Sequence, residues 1–156
     1  DMVKEAMSSI IQFEVEGANV LALFAGSGQL GIEALSRGAR FCVFVDSSRD
    51  SQNIVRQNLQ TTGLAKQSRV AAMDYGAFLR STGEVFDIAL LDPPYGKGLL
   101  QEALPLLAPR MSPGGAILCE SPRGEALPEE AGGFRIKKTY SYGKIALTLY
   151  RRPEEE

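Results

Sequence analysis

The residues Asp92-Pro93-Pro94-Tyr95 set a carboxylate, two prolines and an aromatic ring at the end of an apolar run, 86–91. Consecutive prolines cannot continue a central strand, because each lacks the N–H that a ladder needs. They fix a rigid, extended turn at the strand's carboxyl end. In such a turn the Asp92 carboxylate and the Pro93 carbonyl can both accept hydrogen bonds from one –NH2 group. An exocyclic amine on a nucleobase is a poor nucleophile, since its lone pair is delocalised into the ring. Two acceptors that hold both protons pull the nitrogen toward sp3 geometry and free that pair. Tyr95 offers a flat face on which a base can stack. Such catalysis rests on positioning and electrostatics and calls for no metal or covalent intermediate. The bland reading of the same residues is a stiff turn with an incidental acid and ring.

A second constellation lies upstream. Phe24-Ala25-Gly26-Ser27-Gly28-Gln29-Leu30-Gly31 follows an apolar run and opens a helical pattern. Small residues let a backbone approach a ligand closely, and a helix N-terminus offers unpaired N–H groups and partial positive charge. A pyrophosphate or the carboxylate of a methionine moiety suits that place, and residues 24–28 are the candidate contacts. Asp46, beside Ser47, ends the next apolar run about 20 residues on, where a carboxylate reaches ribose hydroxyls. Asp74, beside Tyr75, ends a third run and can accept from an adenine amine. Each aspartate could instead cap the following helix. These residues alone suit either NAD or S-adenosylmethionine (SAM), since both carry an adenosine. The Pro-Pro turn decides for SAM, whose methyl sulfonium is the electrophile that an activated amine needs. Asp92 then faces both cofactor and base.

The elements that must position these groups alternate along the chain. Strand patterns are expected over 19–24, 40–45, 69–73, 86–91 and 116–120, with helices over 30–37, 48–61 and 75–81 between them. The first dozen residues also have helical spacing, through Val3, Ala6, Met7, Ile10 and Ile11. Ile54, Val55 and Leu59 are the expected buried stripe of 48–61, with Gly63 as its C-cap. Leu100, Ala103, Leu104 and Leu107 predict a helix that Pro105 should kink or break. Residues 134–140 and 145–150 read as a closing hairpin. The alternation predicts one α/β domain over 1–156, a mostly parallel sheet covered on both faces, with an antiparallel C-terminal hairpin. The acidic end, 153–156, is expected to fray.

Composition narrows the chemistry further. The 156 residues include no histidine, which removes imidazole acid–base catalysis and histidine metal sites; no metal is expected. Cys42 and Cys119 lie inside apolar runs and read as buried thiols of a reducing compartment. A net charge of −2 argues mildly against a sequence-blind grip on nucleic acid. Basic residues gather late, at Arg135, Lys137, Lys138, Lys144, Arg151 and Arg152, either as a phosphate-contacting strip or as a solvated strand face. No run approaches the roughly 20 apolar residues that span a bilayer.

Taken together, residues 23–39, Asp46-Ser47-Ser48, Asp92-Pro93-Pro94-Tyr95, the early Val3-Lys4-Glu5-Ala6-Met7 and the late Tyr142-Gly143 resemble the RsmD-type 16S ribosomal RNA guanine-N2 methyltransferases. The resemblance covers essentially the whole chain. It implies a Rossmann-like SAM fold with seven strands, cofactor contacts from the glycine loop, and a base-amine site at Asp92 to Tyr95. It further implies ribosomal RNA as partner, within a small-subunit particle or free, in a cytoplasmic monomer. The chain departs from the family at Ala22, where an acidic residue is usual, and it begins after the family's N-terminal hairpin. The alternatives are an adenine amino methyltransferase on DNA or RNA, and a catalytically weakened SAM-fold protein that binds RNA.

Overall fold

The fold is described from a computed structural model over residues 2–153. The acidic end 154–156, expected to fray, lies outside the described residues. The elements in chain order are α1 (Met2–Ile10), β1 (Asn19–Leu23), α2 (Gln29–Ser36), β2 (Phe41–Val45), α3 (Arg49–Thr62), β3 (Ser68–Ala71) and α4 (Tyr75–Ser81). They continue as β4 (Phe86–Leu91), α5 (Leu99–Leu107), β5 (Met111–Pro122), β6 (Glu130–Ala131), β7 (Phe134–Tyr142) and β8 (Ile145–Arg151). The strands form one sheet in the order β3-β2-β1-β4-β5-β8-β7-β6. The first five strands are mutually parallel, while β8, β7 and β6 add antiparallel pairs at one edge. The sheet thus carries the seven expected strands plus the two-residue β6, too short to show any alternation in sequence.

The period of two in the strands builds two cores. Leu21, Leu23, Val43 and Val45 face α4 and α5, where they pack with Phe78, Leu100, Leu104 and Leu107. Val20, Ala22, Cys42 and Phe44 face the other way, against Met7, Leu35, Val55 and Leu59 of α1, α2 and α3. Strands buried on both faces read as unbroken apolar runs, which is why β1, β2 and β4 stood out in sequence.

Three local expectations were revised by packing. Ile54 is 46% exposed, and Gln52 takes its place in the buried stripe of α3. The Gln52 amide donates to the Asp46 carbonyl at 2.8 Å, so its burial is compensated. Helix α5 runs through Pro105 to Leu107. The proline costs roughly 3 kcal/mol, whereas burying Leu100, Leu104 and Leu107 returns about 1.5–3 kcal/mol apiece. Finally, β5 extends well beyond 116–120 because it pairs with β4 on one side and β8 on the other. Gly63 caps α3 in the left-handed conformation, as expected.

Gly31 marks the tightest contact between a helix and the sheet. A Cβ there would lie 2.4 Å from Phe44 Cε2 and 2.9 Å from Cys42 Sγ. Both neighbours are fully buried in β2 and have no room to withdraw. The substitution Gly31→Ala is therefore expected to lower unfolding free energy by about 1–3 kcal/mol. Urea denaturation checks this, and unchanged stability would mean that α2 rides freely over β2.

Candidate active site

The glycine loop and the Pro-Pro turn leave neighbouring strands at the same level. Register pairs Leu23 of β1 with Val45 of β2 and with Leu91 of β4. It also pairs Leu91 with Cys119 of β5. The next residues, Asp46, Phe24, Asp92 and Glu120, therefore stand in a row across the carboxyl ends of four adjacent strands. β1 and β4 flank the switch point of the strand order, where open α/β sheets leave a crevice for ligands.

A cavity of about 590 Å3 occupies this crevice, within the usual range for small-molecule sites. Phe24, Asp46, Ser47, Asp74, Tyr75 and Asp92 line it, together with Pro93, Pro94, Lys97 and Ser51. A smaller cavity of about 100 Å3 lies beside it, reached by Ala25, Ser27, Ala22, Asp92 and Glu120. Gly26 borders both. Gly28 borders neither. It begins α2 at φ +83, where a Cβ would meet Val55 and Phe44. Its role is close packing beneath the loop, whereas a Cβ on Gly26 would meet nothing within 4 Å. Of the two glycines, Gly26 is the one that leaves ligand space open.

Several contacts hold the loop in shape. The Asp46 carboxylate accepts the Gly26 N–H through Oδ2 at 3.0 Å and the Ser48 N–H through Oδ1 at 2.9 Å. Asn58 of α3 donates to the Ser27 carbonyl at 2.9 Å, and Ala25 N–H donates to Val45 at 3.1 Å. The cap of α3 itself is Ser48, which accepts from Ser51. Asp46 therefore ties the end of β2 to the loop, and each oxygen keeps a lone pair for a hydroxyl. Phe24 sits at φ +59, a costly conformation for a bulky L-residue. Its ring packs on Tyr75 with centroids 5.0 Å apart, forming one wall of the cavity.

Asp74 behaves as a cap. Its Oδ2 accepts from Gly76 N–H at 2.9 Å and Ala77 N–H at 3.2 Å, at the start of α4. It still lines the main cavity, so capping leaves it within reach of a ligand there. The Tyr75 hydroxyl donates to Glu102 at 2.6 Å, a bond that, with partial burial, pushes its pKa up to about 12.

Around the Pro-Pro turn, the residue that sequence reasoning missed is Glu120. The Tyr95 hydroxyl donates to its Oε2 at 2.7 Å. Loss of hydration, followed by the hydrogen bond and negative charge of Glu120, pushes the Asp92 carboxyl up to about 7. Asp92 keeps contact with solvent at the cavity mouth, so the crowding comes from the walls and from Glu120 rather than from full enclosure. Partial loss of hydration and then Glu120 likewise push the Tyr95 phenol up, although the residue is 46% exposed. One signal in the sequence could have flagged Glu120. It is an acid at the end of an apolar strand, the pattern that singled out Asp46, Asp74 and Asp92.

The late basic cluster divides. Arg151 pairs with Glu14 at 2.7 Å. Arg152 donates to the carbonyls of Ala108, Met111 and Ser112 and lies 4.3 Å over the Phe134 ring. Both are structural. Lys138 lies 4.8 Å from the Tyr140 ring centre, while Arg135, Lys137 and Lys144 are exposed. No helix among the described residues is long and apolar enough to cross a membrane.

Known proteins resemble this chain along most of its length. Residues 1–151 match the family model described as conserved hypothetical protein 95. The chain is 36% identical over 159 residues to the "Putative rRNA methyltransferase YlbH" of Bacillus subtilis, covering 97% of this chain and 85% of that one. It is 31% identical to ribosomal RNA small subunit methyltransferase D of Escherichia coli, covering 97% and 77% respectively. At 17% identity, an RNA methyltransferase of Salinibacter ruber, solved with S-adenosyl-L-homocysteine, shares the fold with a TM-score of 0.77 over 100% of this chain and 94% of that one.

SAM fits the residues present. The open space at Gly26, the spare lone pairs of Asp46 and the aromatic wall of Phe24 and Tyr75 suit, in turn, a methionine moiety, a ribose and an adenine. Removing Asp46 should cost both the ribose acceptor and the tether of the loop. Hydrogen bonds to charged groups contribute about 1.5–3 kcal/mol, so Asp46→Ala is expected to weaken SAM binding tenfold or more by calorimetry. Unchanged affinity would confine Asp46 to the turn before α3.

Proposed function

The chain belongs to the family described as conserved hypothetical protein 95, the RsmD family, and from that premise we propose that it transfers a methyl group from SAM to the exocyclic N2 amine of a guanine in 16S ribosomal RNA. It is a SAM-dependent methyltransferase by family and fold. The observation that carries the finer reading is the alignment of the strand ends. Register sets Asp92 directly beside the glycine loop, so an amine held at Asp92 lies next to the cofactor crevice.

Bound SAM supplies an electrophilic methyl group on its sulfonium. The protein's part is to hold the amine. An ionised Asp92 carboxylate accepts one amine proton and the Pro93 carbonyl the other, which localises the lone pair on nitrogen. As the N–C bond forms and the S–C bond breaks, the nitrogen sheds a proton, and Asp92 is placed to receive it. A carboxyl held up near 7 takes a proton more readily than an ordinary aspartate. The prolines keep the acceptors from swinging away, and Tyr95 offers its ring to the flipped base. RNA is expected as the substrate, bound by a monomer through few phosphate contacts, since the net charge is −2. Lys97, exposed at the cavity mouth, is suitably placed for one such contact.

Two outcomes test this reading. Asp92→Ala should reduce methyl transfer to small-subunit ribosomal RNA at least 100-fold while SAM binding changes little, read with radiolabelled methyl groups and calorimetry. Near-normal turnover would remove Asp92 from the amine site.

The second outcome concerns pH. The working form of Asp92 is the ionised one, and its pKa is raised to about 7. The rate should therefore rise with pH and level off above about 7, having fallen below that as Asp92 is protonated. The chain has no histidine, and both cysteine thiols are buried and pushed up, so neither an imidazole nor a thiol supplies that midpoint. Asp92→Asn, which cannot titrate, should flatten the profile. A midpoint that survives in Asp92→Asn would assign it elsewhere.

A further inference from the structure

Beyond raising the Asp92 carboxyl, Glu120 has no part in the chemistry described so far, yet it sits at its centre. It ends the apolar stretch of β5 beside Asp92, as the Leu91 and Cys119 pairing requires. The two carboxyls line the same small cavity, and Glu120 is near enough for its charge to raise the Asp92 carboxyl. The side chain is half-buried, and the Tyr95 hydroxyl holds its Oε2 at 2.7 Å. Tyr95 thus orients Glu120 and leaves Oε1 with free lone pairs. Two acids this close repel, and the repulsion is relieved by a ligand that brings donors to both.

The Watson–Crick edges of the bases differ in this respect. Guanine presents N1–H directly beside the N2 amine, an unbroken row of donors. Adenine and cytosine each place a bare ring nitrogen, an acceptor, beside their amine. A carboxylate next to the amine site therefore meets a donor in guanine and a repelling lone pair in the other two. We propose that Glu120 reads the target base, its carboxylate accepting guanine N1–H while Asp92 holds the N2 amine. This inference rests on the guanine-N2 reading and names the residue that enforces it. Sites built to hydrogen-bond a substrate group reject analogues lacking that group far better than apolar pockets reject a missing methylene.

The test uses the whole chain saturated with S-adenosyl-L-homocysteine. Binding of GMP, AMP and 2-aminopurine riboside 5′-monophosphate is followed by NMR titration. The last of these keeps the N2 amine but has a bare N1. The native protein is expected to bind GMP at least tenfold more tightly than the other two. Glu120→Gln, whose amide can donate to a bare N1, should weaken GMP tenfold or more and strengthen the 2-aminopurine nucleotide. Glu120→Asp, which keeps the charge but shortens the reach, should weaken GMP without that gain. No preference for GMP in the native protein, or an equal loss for every nucleotide in Glu120→Gln, would overturn the role of Glu120. Calorimetry with S-adenosyl-L-homocysteine separates the two levels. Failure to bind it removes the methyltransferase reading and this inference together. Binding without base preference removes the inference alone.

Discussion

The parallel register of β2, β1, β4 and β5 is the constraint from which the site follows. Parallel strands held in one register toward their carboxyl ends finish in step, and here the ends carry Asp46, Phe24, Asp92 and Glu120. A slip of one residue would turn each strand's side chains to the opposite face. It would also offset the carboxylates by a strand rise of about 3.3 Å. Both faces of these strands are buried in separate cores, so the register is enforced twice. Packing far from the chemistry thereby fixes the chemistry's geometry.

The glycine loop depends on the same arrangement. Left to itself, a loop of small residues has many conformations and loses more entropy on ordering than most segments. Three tethers from outside it, the Asp46 carboxylate, the Val45 carbonyl and the Asn58 amide, select one of them. Gln52 in turn fastens the Asp46 carbonyl to α3. The strained Phe24 backbone belongs to this account. Its conformation costs about 1–2 kcal/mol, and contact with Tyr75 helps to offset that. A ligand thus meets a loop already in shape and does not have to order it.

At the other side of the crevice, electrostatics rather than packing sets the character of the site. Asp92, Glu120 and the Tyr95 hydroxyl form a compact acidic group beside the main cavity. Loss of hydration and like charge raise the Asp92 carboxyl to about 7, the range in which histidine ordinarily titrates. The arrangement suits an incoming group rich in N–H donors and is unfavourable without one.

The amino-acid sequence by itself determined the alternation of elements, the two-sided burial of the central strands, the glycine loop and the Pro-Pro turn. Each of these is written in short-range pattern: a period of two or 3.6, a cap, or a residue whose backbone permits few conformations. The helix through Pro105 and the exchange of Ile54 for Gln52 escaped that reading, because burial against distant elements outweighed local preference. Which glycine faces ligand space was likewise a matter of neighbours, since Gly26 and Gly28 look alike until Val55 and Phe44 are placed. Tertiary structure alone also decided that Asp46 is a tether and that Glu120 joins Asp92. Those facts depend on hydrogen bonds and registers between residues 20 or more positions apart, and no local pattern carries that information.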